Sequence, residues 1–428
     1  MAAPATPALL RLAGARAGRR CRAMPGGRLA RPRSCMAAAA AAARSWVCPE
    51  APYPAVAEEV EAELRAYAAM QPTPVTLKDI LSAKNTRSLA KFLHGEVPIR
   101  IAERLNRIET DLPGWQQNES IRQVHESLRR SFVALRRVRS DENLEEFTQV
   151  VSDVIWEEKP AVVTMARGLC QLRAELGEKR FSCAFTDAFL DGFLLNRIGS
   201  NVLMSQYLAF QGHVIPAGDG ANERTGIIDV NCDPSQICRQ VADEVADICE
   251  EKTGLRPIIR VEAYSAVGVD LNEPKFPYIP TFLRYMICEL LKNSCKATTE
   301  VAKASNHSPR AELSRRPIFV VVCADETKVA IRIGDRARGI PFSVGSHIWS
   351  YLYSTADRGP SELAGYGVGL PLSRLYARYL GGSLDLISMP GFGTDAYLML
   401  PRLEGSQVEV LPDLYQKYTY TSLTDLCL

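Results

Sequence analysis

The sequence predicts a helical bundle followed by an α+β sandwich, and two observations carry that expectation. From about Glu58 to Phe210 apolar residues recur at intervals of three and four, the period of a helix with one buried face. Beyond Gly212 β-branched runs alternate with helical segments, and the last four strands fall as hairpin-like neighbours. That order suits a mixed sheet covered on one face by helices.

The elements follow in order. Ile121, Val124, Leu128, Phe132 and Leu135 form one apolar stripe. Asn143 can cap a second long helix with Val150, Val151, Val154 and Ile155 inward, Glu157 and Glu158 near its middle, and a continuation through Val163 to Leu172. Pro160 should kink or interrupt it. A third helix runs from about Thr186 to Phe210 and carries Phe189, Phe193, Asn196, Arg197 and Met204. His213 to Arg224, rich in Gly, Ala, Asn and Pro, reads as a linker. Strands are expected at Gly226 to Asn231, Pro257 to Glu262, Ile318 to Cys323, Val329 to Ile333, Ser383 to Ser388 and Asp395 to Leu400. Helices are expected at Pro234 to Lys252, Pro280 to Ala302 and Pro371 to Leu380, with a Gly/Ser-rich stretch from Gly339 to Gly369.

The net charge of +2 conceals an asymmetry. Residues 1–49 hold nine arginines and no Asp or Glu, leaving 42 basic against 49 acidic residues in the remainder. An arginine-rich, acid-free, alanine-rich leader has the composition of a mitochondrial transit peptide or a disordered basic tail. The acidic remainder argues against nucleic acid as a partner. No run of eighteen strongly apolar residues occurs, so no membrane insertion is expected. Twelve cysteines are scattered without a CxxC pair, and read as reduced thiols. Five dispersed histidines suggest neither a metal site nor a catalytic triad.

The segment Glu289-Leu290-Leu291-Lys292-Asn293-Ser294-Cys295-Lys296 puts Glu289, Asn293 and Lys296 on one helix face, since i, i+4 and i+7 stack at 3.6 residues per turn. A carboxylate can deprotonate a nucleophile, an amide oxygen can ligate Mg2+, and a lysine can meet phosphate. A solvated helix face has the same composition. Downstream, Gly334-Asp335-Arg336-Ala337-Arg338-Gly339 leaves the Asp335 carboxylate at a strand end, where it can accept a hydrogen bond from an adenine amino group. Gly365-Tyr366-Gly367-Val368-Gly369-Leu370 then runs into a helix with Pro371 in its first turn. Glycines let backbone N–H groups approach phosphates, and the helix N-terminus adds partial positive charge. No Walker A motif and no dinucleotide fingerprint is present. Gly391-Phe392-Gly393-Thr394-Asp395 joins two strands, as a plain hairpin turn or with Thr394 assisting Asp335.

In this order the boxes resemble the nucleotide-binding fold shared by gyrase-type ATPases, histidine kinases and mitochondrial protein kinases, the GHKL superfamily. From about Thr76 to Leu400 the chain is similar to the family of pyruvate dehydrogenase kinases and branched-chain 2-oxoacid dehydrogenase kinases. The similarity rests on Glu289 to Thr298, Tyr353-Ser354-Thr355-Ala356, Gly367 to Tyr379 and Gly391 to Asp395, with Asp191 to Arg197 and Val162 to Ala166 as landmarks in the bundle. It implies a leader over 1–49, a bundle over 50–212 that docks the lipoyl domain of an E2 component, a GHKL ATP-binding kinase domain over 213–403, a C-terminal tail over 404–428, and a homodimer.

Carried over by residue, the resemblance implies a matrix enzyme that uses ATP and Mg2+ to phosphorylate a serine of an E1 component. Glu289 is then the general base, and Asn293 the Mg2+ ligand. Leu290, Leu291, Lys292, Ser294, Cys295 and Lys296 belong to the same nucleotide-binding segment, Asp335 and Thr394 to the adenine site. Ser354 and Thr355 match the lid that touches ATP; Gly365, Tyr366, Gly367, Val368, Gly369 and Leu370 match the phosphate-covering loop. Glu409-Val-Leu-Pro412 looks like pyruvate-type members and Tyr379 to Leu384 like branched-chain members, with pyruvate dehydrogenase slightly favoured. Three departures stand out. Counting back from Thr164-Met165-Ala166, Glu158 falls where the family has a histidine paired with the base, and two carboxylates together would raise one pKa. Ala337 and Arg338 stand where the family commonly has two glycines, and the tail lacks the Asp-Trp pair that crosses the dimer in pyruvate-type members. A pseudokinase that binds ATP and scaffolds the complex is the alternative.

Overall fold

The computed structural model describes residues 54–76, 79, 85–140, 143–177, 181–212, 224–265, 275–345, 347–351, 353, 367–402 and 408–412. The leader over 1–49 therefore lies outside the described residues, as do Ser354, Thr355, Gly365 and Tyr366.

Among the described residues six helices form the first layer: α1 (Pro54–Ala68), α2 (Thr86–Asp111), α3 (Glu119–Arg137), α4 (Leu144–Glu157), α5 (Ala161–Leu176) and α6 (Cys183–Phe210). Each of four starts on a short polar side chain that accepts from an otherwise unpaired amide: Asn85 from Arg87, Asn118 from Ile121, Asn143 from Glu146, Ser182 from Phe185. Such a cap stabilises a helix by about 1 kcal/mol. Leu93, Val97, Ile101 and Leu105 of α2 share the core with Leu128 and Phe132 of α3, Phe147 and Val151 of α4, and Phe189 and Phe193 of α6. The long helix expected from Asn143 through Leu172 is two helices. Pro160 interrupts it, α4 stops at Glu157, and Glu158 sits at the junction as the C-cap rather than mid-helix.

The chain then builds two sheets. β1 (Arg224–Thr225), β2 (Ile228–Cys232) and β4 (Phe276–Tyr278) form a small antiparallel one in the order β1-β2-β4. Gly226 turns between the first two with φ +73°, so the strand expected from Gly226 begins two residues later. The five-stranded sheet runs β3-β5-β6-β8-β7, from β3 (Ile259–Ser265), β5 (Ile318–Ala324), β6 (Lys328–Gly334), β7 (Ser383–Met389) and β8 (Gly393–Pro401). β3 lies parallel to β5 and all other pairs are antiparallel, the expected mixed sheet.

Helices α7 (Pro234–Thr253), α8 (Pro280–Lys303) and α11 (Gly369–Tyr379) cover one face, over Val320, Val322, Ile331, Ile333 and Leu398. Two short helices, α9 (Pro309–Arg315) and α10 (Phe342–Gly345), lie between. Among the described residues no helix covers the opposite face, where Tyr264, Ile387, Met389 and Met399 are exposed. Residues 408–412 return to the bundle: Val408 bridges Thr76, and the Glu409 amide donates to the Val75 carbonyl at 2.9 Å. Among the described residues no helix is long and apolar enough to cross a membrane.

Candidate functional site

Helix α8 carries the first part of the site. Its amphipathic pattern splits the segment from Glu289 to Lys296 into two faces. Leu290, Leu291 and Cys295 are buried in the core, so their side chains pack and do not line the site as the carry-over implied. Glu289, Lys292, Asn293 and Lys296 remain on the open face, with Glu289 17 % and Lys292 25 % exposed. The Lys292 ammonium holds the Glu289 carboxylate at 2.5 Å, and Lys296 lies 3.9 Å from Glu300. Asn293 is exposed and its amide takes no protein hydrogen bond among the described residues. An unused amide oxygen on the open stripe fits a Mg2+ ligand, since that ion binds protein sparingly and completes its shell with water and phosphate oxygens. Among the described residues no cluster of three His, Cys, Asp or Glu offers an all-protein metal cage.

Helix α11 brings the glycine loop to this face. Its N-cap position is Val368, no side chain caps it, and Gly367 enters it with φ +69°. A Cβ on Gly369 would lie 2.2 Å from the Glu289 Oε2 atom. Glycine there lets the carboxylate and the uncapped amides of Gly369 and Leu370 share one small volume. An anion placed against those amides meets the positive end of the helix.

The second part sits at the end of β6. The Asp335 Oδ1 atom accepts from the Ala337 amide at 3.0 Å and the Thr394 amide at 3.4 Å, and Oδ2 accepts from the Ser294 hydroxyl at 3.1 Å. Ser294 is thus the one buried residue of the α8 segment that reaches the site. Thr394 assists through its backbone, while its hydroxyl pairs with Ser388 at 3.0 Å. A Cβ on Gly393 would strike the Asp335 carbonyl at 2.1 Å, which is why the turn between β7 and β8 requires glycine. Burial pushes the Asp335 carboxyl above the ordinary aspartate value, and the three hydrogen bonds pull it partly back.

The departures separate once the geometry is known. The Glu158 carboxylate has a cationic partner of its own. Arg104 grips both its oxygens, Nη1 to Oε2 at 2.8 Å and Nη2 to Oε1 at 3.1 Å, with both side chains buried. Its carbonyl also accepts from Arg197 at 3.0 Å. Tyr285, one turn earlier on α8, stays a neutral phenol near Glu289, its hydroxyl pKa raised first by burial and then by that carboxylate. The i−4 spacing was the available signal for it. Ala337 fits, buried with its amide on Asp335. Arg338 alone among the described non-glycine residues holds a positive φ, +67°.

The chain is similar to known proteins over most of its length. Residues 74–229 match the family model described as mitochondrial branched-chain alpha-ketoacid dehydrogenase kinase. Residues 278–404 match that of the histidine kinase-, DNA gyrase B-, and HSP90-like ATPase. The mitochondrial pyruvate dehydrogenase (acetyl-transferring) kinase of Arabidopsis thaliana is 32% identical over 373 residues, 82% of this chain and 96% of its own length. That of Ascaris suum is 31% identical, covering 85% of this chain and 91% of its own. Isozyme 3 of Homo sapiens is 30% identical, covering 83% and 89%. With the two family models matched in that order and relatives at 30% identity or more covering over four fifths of it, the chain belongs to the family of mitochondrial protein-serine kinases that comprises the pyruvate dehydrogenase and branched-chain 2-oxoacid dehydrogenase kinases.

Proposed function

We propose that this protein is a Mg2+-ATP-dependent serine kinase of an E1 component, with pyruvate dehydrogenase favoured over the branched-chain enzyme. One observation carries the reading: the Glu289 carboxylate lies against Gly369 at the uncapped start of α11, with Asn293 one turn further along α8. ATP phosphates held at that helix start place the γ-phosphoryl group beside a carboxylate able to take a serine proton. Lys292, Lys296 and the amides of α11 hold the phosphates, Asp335 accepts from adenine, and Mg2+ would neutralise phosphate charge at Asn293. Such a site works mainly by positioning and charge neutralisation. The curated relatives are named as pyruvate dehydrogenase kinases, which supports that target, whereas the bundle matches the branched-chain family model. Incubating the protein with Mg-ATP and each E1 separately should give phosphoserine on one of them.

The pseudokinase reading has one observation in its favour: Lys292 sits on the very carboxylate that must receive the proton. Absence of phosphoserine on every E1, with ATP still bound, selects it.

The bundle is the surface assigned to the E2 lipoyl domain. The sheet face opposite the helices is assigned to a second copy of the chain, because its exposed Tyr264, Ile387, Met389 and Met399 are apolar. Ile387→Glu with Met399→Glu should convert a dimer to a monomer in analytical ultracentrifugation. Residues 1–49 are assigned as a transit peptide, and a reporter fused to them should enter mitochondria; a diffuse cytosolic reporter would remove the assignment.

A further inference from the structure

A buried ionic cluster lies at the far end of α11 from the glycine loop. Arg100, on α2 and fully buried, donates from Nε to Glu96 at 2.9 Å, from Nη1 to Glu409 Oε2 at 3.1 Å, and from Nη2 to Glu409 Oε1 at 2.5 Å and the Thr73 carbonyl at 3.0 Å. Glu409 accepts two further bonds, from the Val75 amide at 3.0 Å and the Tyr379 hydroxyl at 2.7 Å. The Val410 amide donates to the Tyr379 carbonyl at 3.2 Å. Gly199 of α6 makes room: a Cβ there would meet the Arg100 Nη1 atom at 2.4 Å and Glu409 at 2.9 Å.

Tyr379 is the last residue of α11, and Gly369, against Glu289, is the first. A helix is stiff over eleven residues, a length of roughly 16 Å. A hold on one end therefore sets the position of the other. Both oxygens of Glu409 are engaged by donors from three separate stretches of chain, so its carboxylate has one position, and the Tyr379 hydroxyl is referred to it. We infer that Glu409 and Tyr379 are positioning residues for nucleotide binding and transfer: the C-terminal segment braces α11 against the bundle so that its first turn stays beside Glu289. Neither residue touches the reacting groups. The inference rests on the kinase reading for its consequence in catalysis, but its structural content is separately measurable.

Tyr379→Phe removes a single hydroxyl and leaves the Arg100–Glu409 pair and the ring in place, so the chain should fold. Calorimetry should show ATP affinity about tenfold weaker, the scale of one lost hydrogen bond to a carboxylate. KM for ATP should rise by the same factor while KM for the protein substrate holds. Hydrogen exchange at the Leu372 amide, which closes the first turn on the Val368 carbonyl, should accelerate, with the amides of α3 unchanged. Glu409→Gln should move the same readouts further in the same direction. Parental ATP affinity and parental exchange in the first turn of a folded Tyr379→Phe protein would overturn the inference, even if its melting temperature fell, because the cluster would then be structural glue alone. If the parent transfers no phosphate to any E1, the kinase reading fails, and calorimetry and exchange still decide the brace.

Discussion

Helices α2 and α8 carry charged residues at the same spacing and use them in opposite ways. On α2, Glu96, Arg100 and Arg104 follow one another every four residues and are all buried, with exposures of 4 %, 0 % and 0 %. On α8, Glu289 and Asn293 keep the same interval and stay open, with Lys292 and Lys296 beside them. The difference lies in what faces each helix. Opposite α2, other elements supply the complementary charges, Glu409 to Arg100 and Glu158 to Arg104, and every charge is consumed inside the protein. Opposite α8, the facing element begins with Gly369, which supplies space. Each helix also has its glycine: Gly199 admits a guanidinium, and Gly369 leaves a carboxylate room to act. Pairing across the core makes the α2 charges structural, whereas Glu289, paired with Lys292 of its own helix, still borders an unfilled neighbour.

The comparison breaks most sharply at its two poles. Glu289→Gln keeps the shape and removes the proton acceptor, so E1 phosphorylation should fall roughly 10²–10⁴-fold with ATP binding retained. A variant with parental turnover would show that α8 is not the reacting face. Arg104→Ala should do the reverse, lowering stability by about 3–5 kcal/mol in urea unfolding because Glu158 is left buried and unpaired. Glu158→His belongs to the same class and should destabilise rather than activate. Replacing both partners with Arg104→Met and Glu158→Leu should come near the parent's stability, and a double variant as unstable as either single one would mean the pair is not an isolated unit.

A third experiment sharpens the boundary, since Asp335 is buried like the α2 charges yet assigned to adenine. Its raised pKa means that it takes up a proton at a higher pH than an ordinary aspartate, whose value is about 4. Protonation removes the charge that attracts the adenine amino group. ATP affinity should therefore decline as pH falls through a range above that value. Asp335→Asn should weaken binding about tenfold and flatten the profile. The smallest effect is expected at Arg338→Gly. Relief of the left-handed backbone outweighs the added freedom of the unfolded chain by a net of about 0.5–1 kcal/mol, visible as a slightly higher melting temperature.

Local patterns were readable in the sequence wherever they were repeated or punctuated. The bundle stripes, the Asn143 cap, the Pro160 break and the strands from β5 onward all follow from periods and breakers. β4, three residues shortly before Pro280, is too short to show a period. In the site, Glu289, Asn293 and Asp335 were legible because helix spacing and strand ends place them. Leu290, Leu291 and Cys295 were swept in with the segment, although the helix period alone would have turned them inward. The partner of Glu158 was hidden for a different reason: Arg104 lies 54 residues away, and nothing local marks it. Glu409 and Arg100, 309 residues apart, are the extreme case.

That last separation has a consequence in time. A ribosome extends a chain at about 5–20 residues per second, so roughly 15–60 s pass between the appearance of Arg100 and that of Glu409. During that interval the helices of the bundle can already form, yet α2 carries a guanidinium with nothing to receive it from the tail. Closing the bundle around it would bury a guanidinium answered by Glu96 and the Thr73 carbonyl alone, with its two bonds to Glu409 unmade. The nascent bundle therefore closes with an incomplete set of partners for Arg100 until nearly the last residues emerge, and a chain stopped before residue 409 leaves two of that guanidinium's four hydrogen bonds unmade.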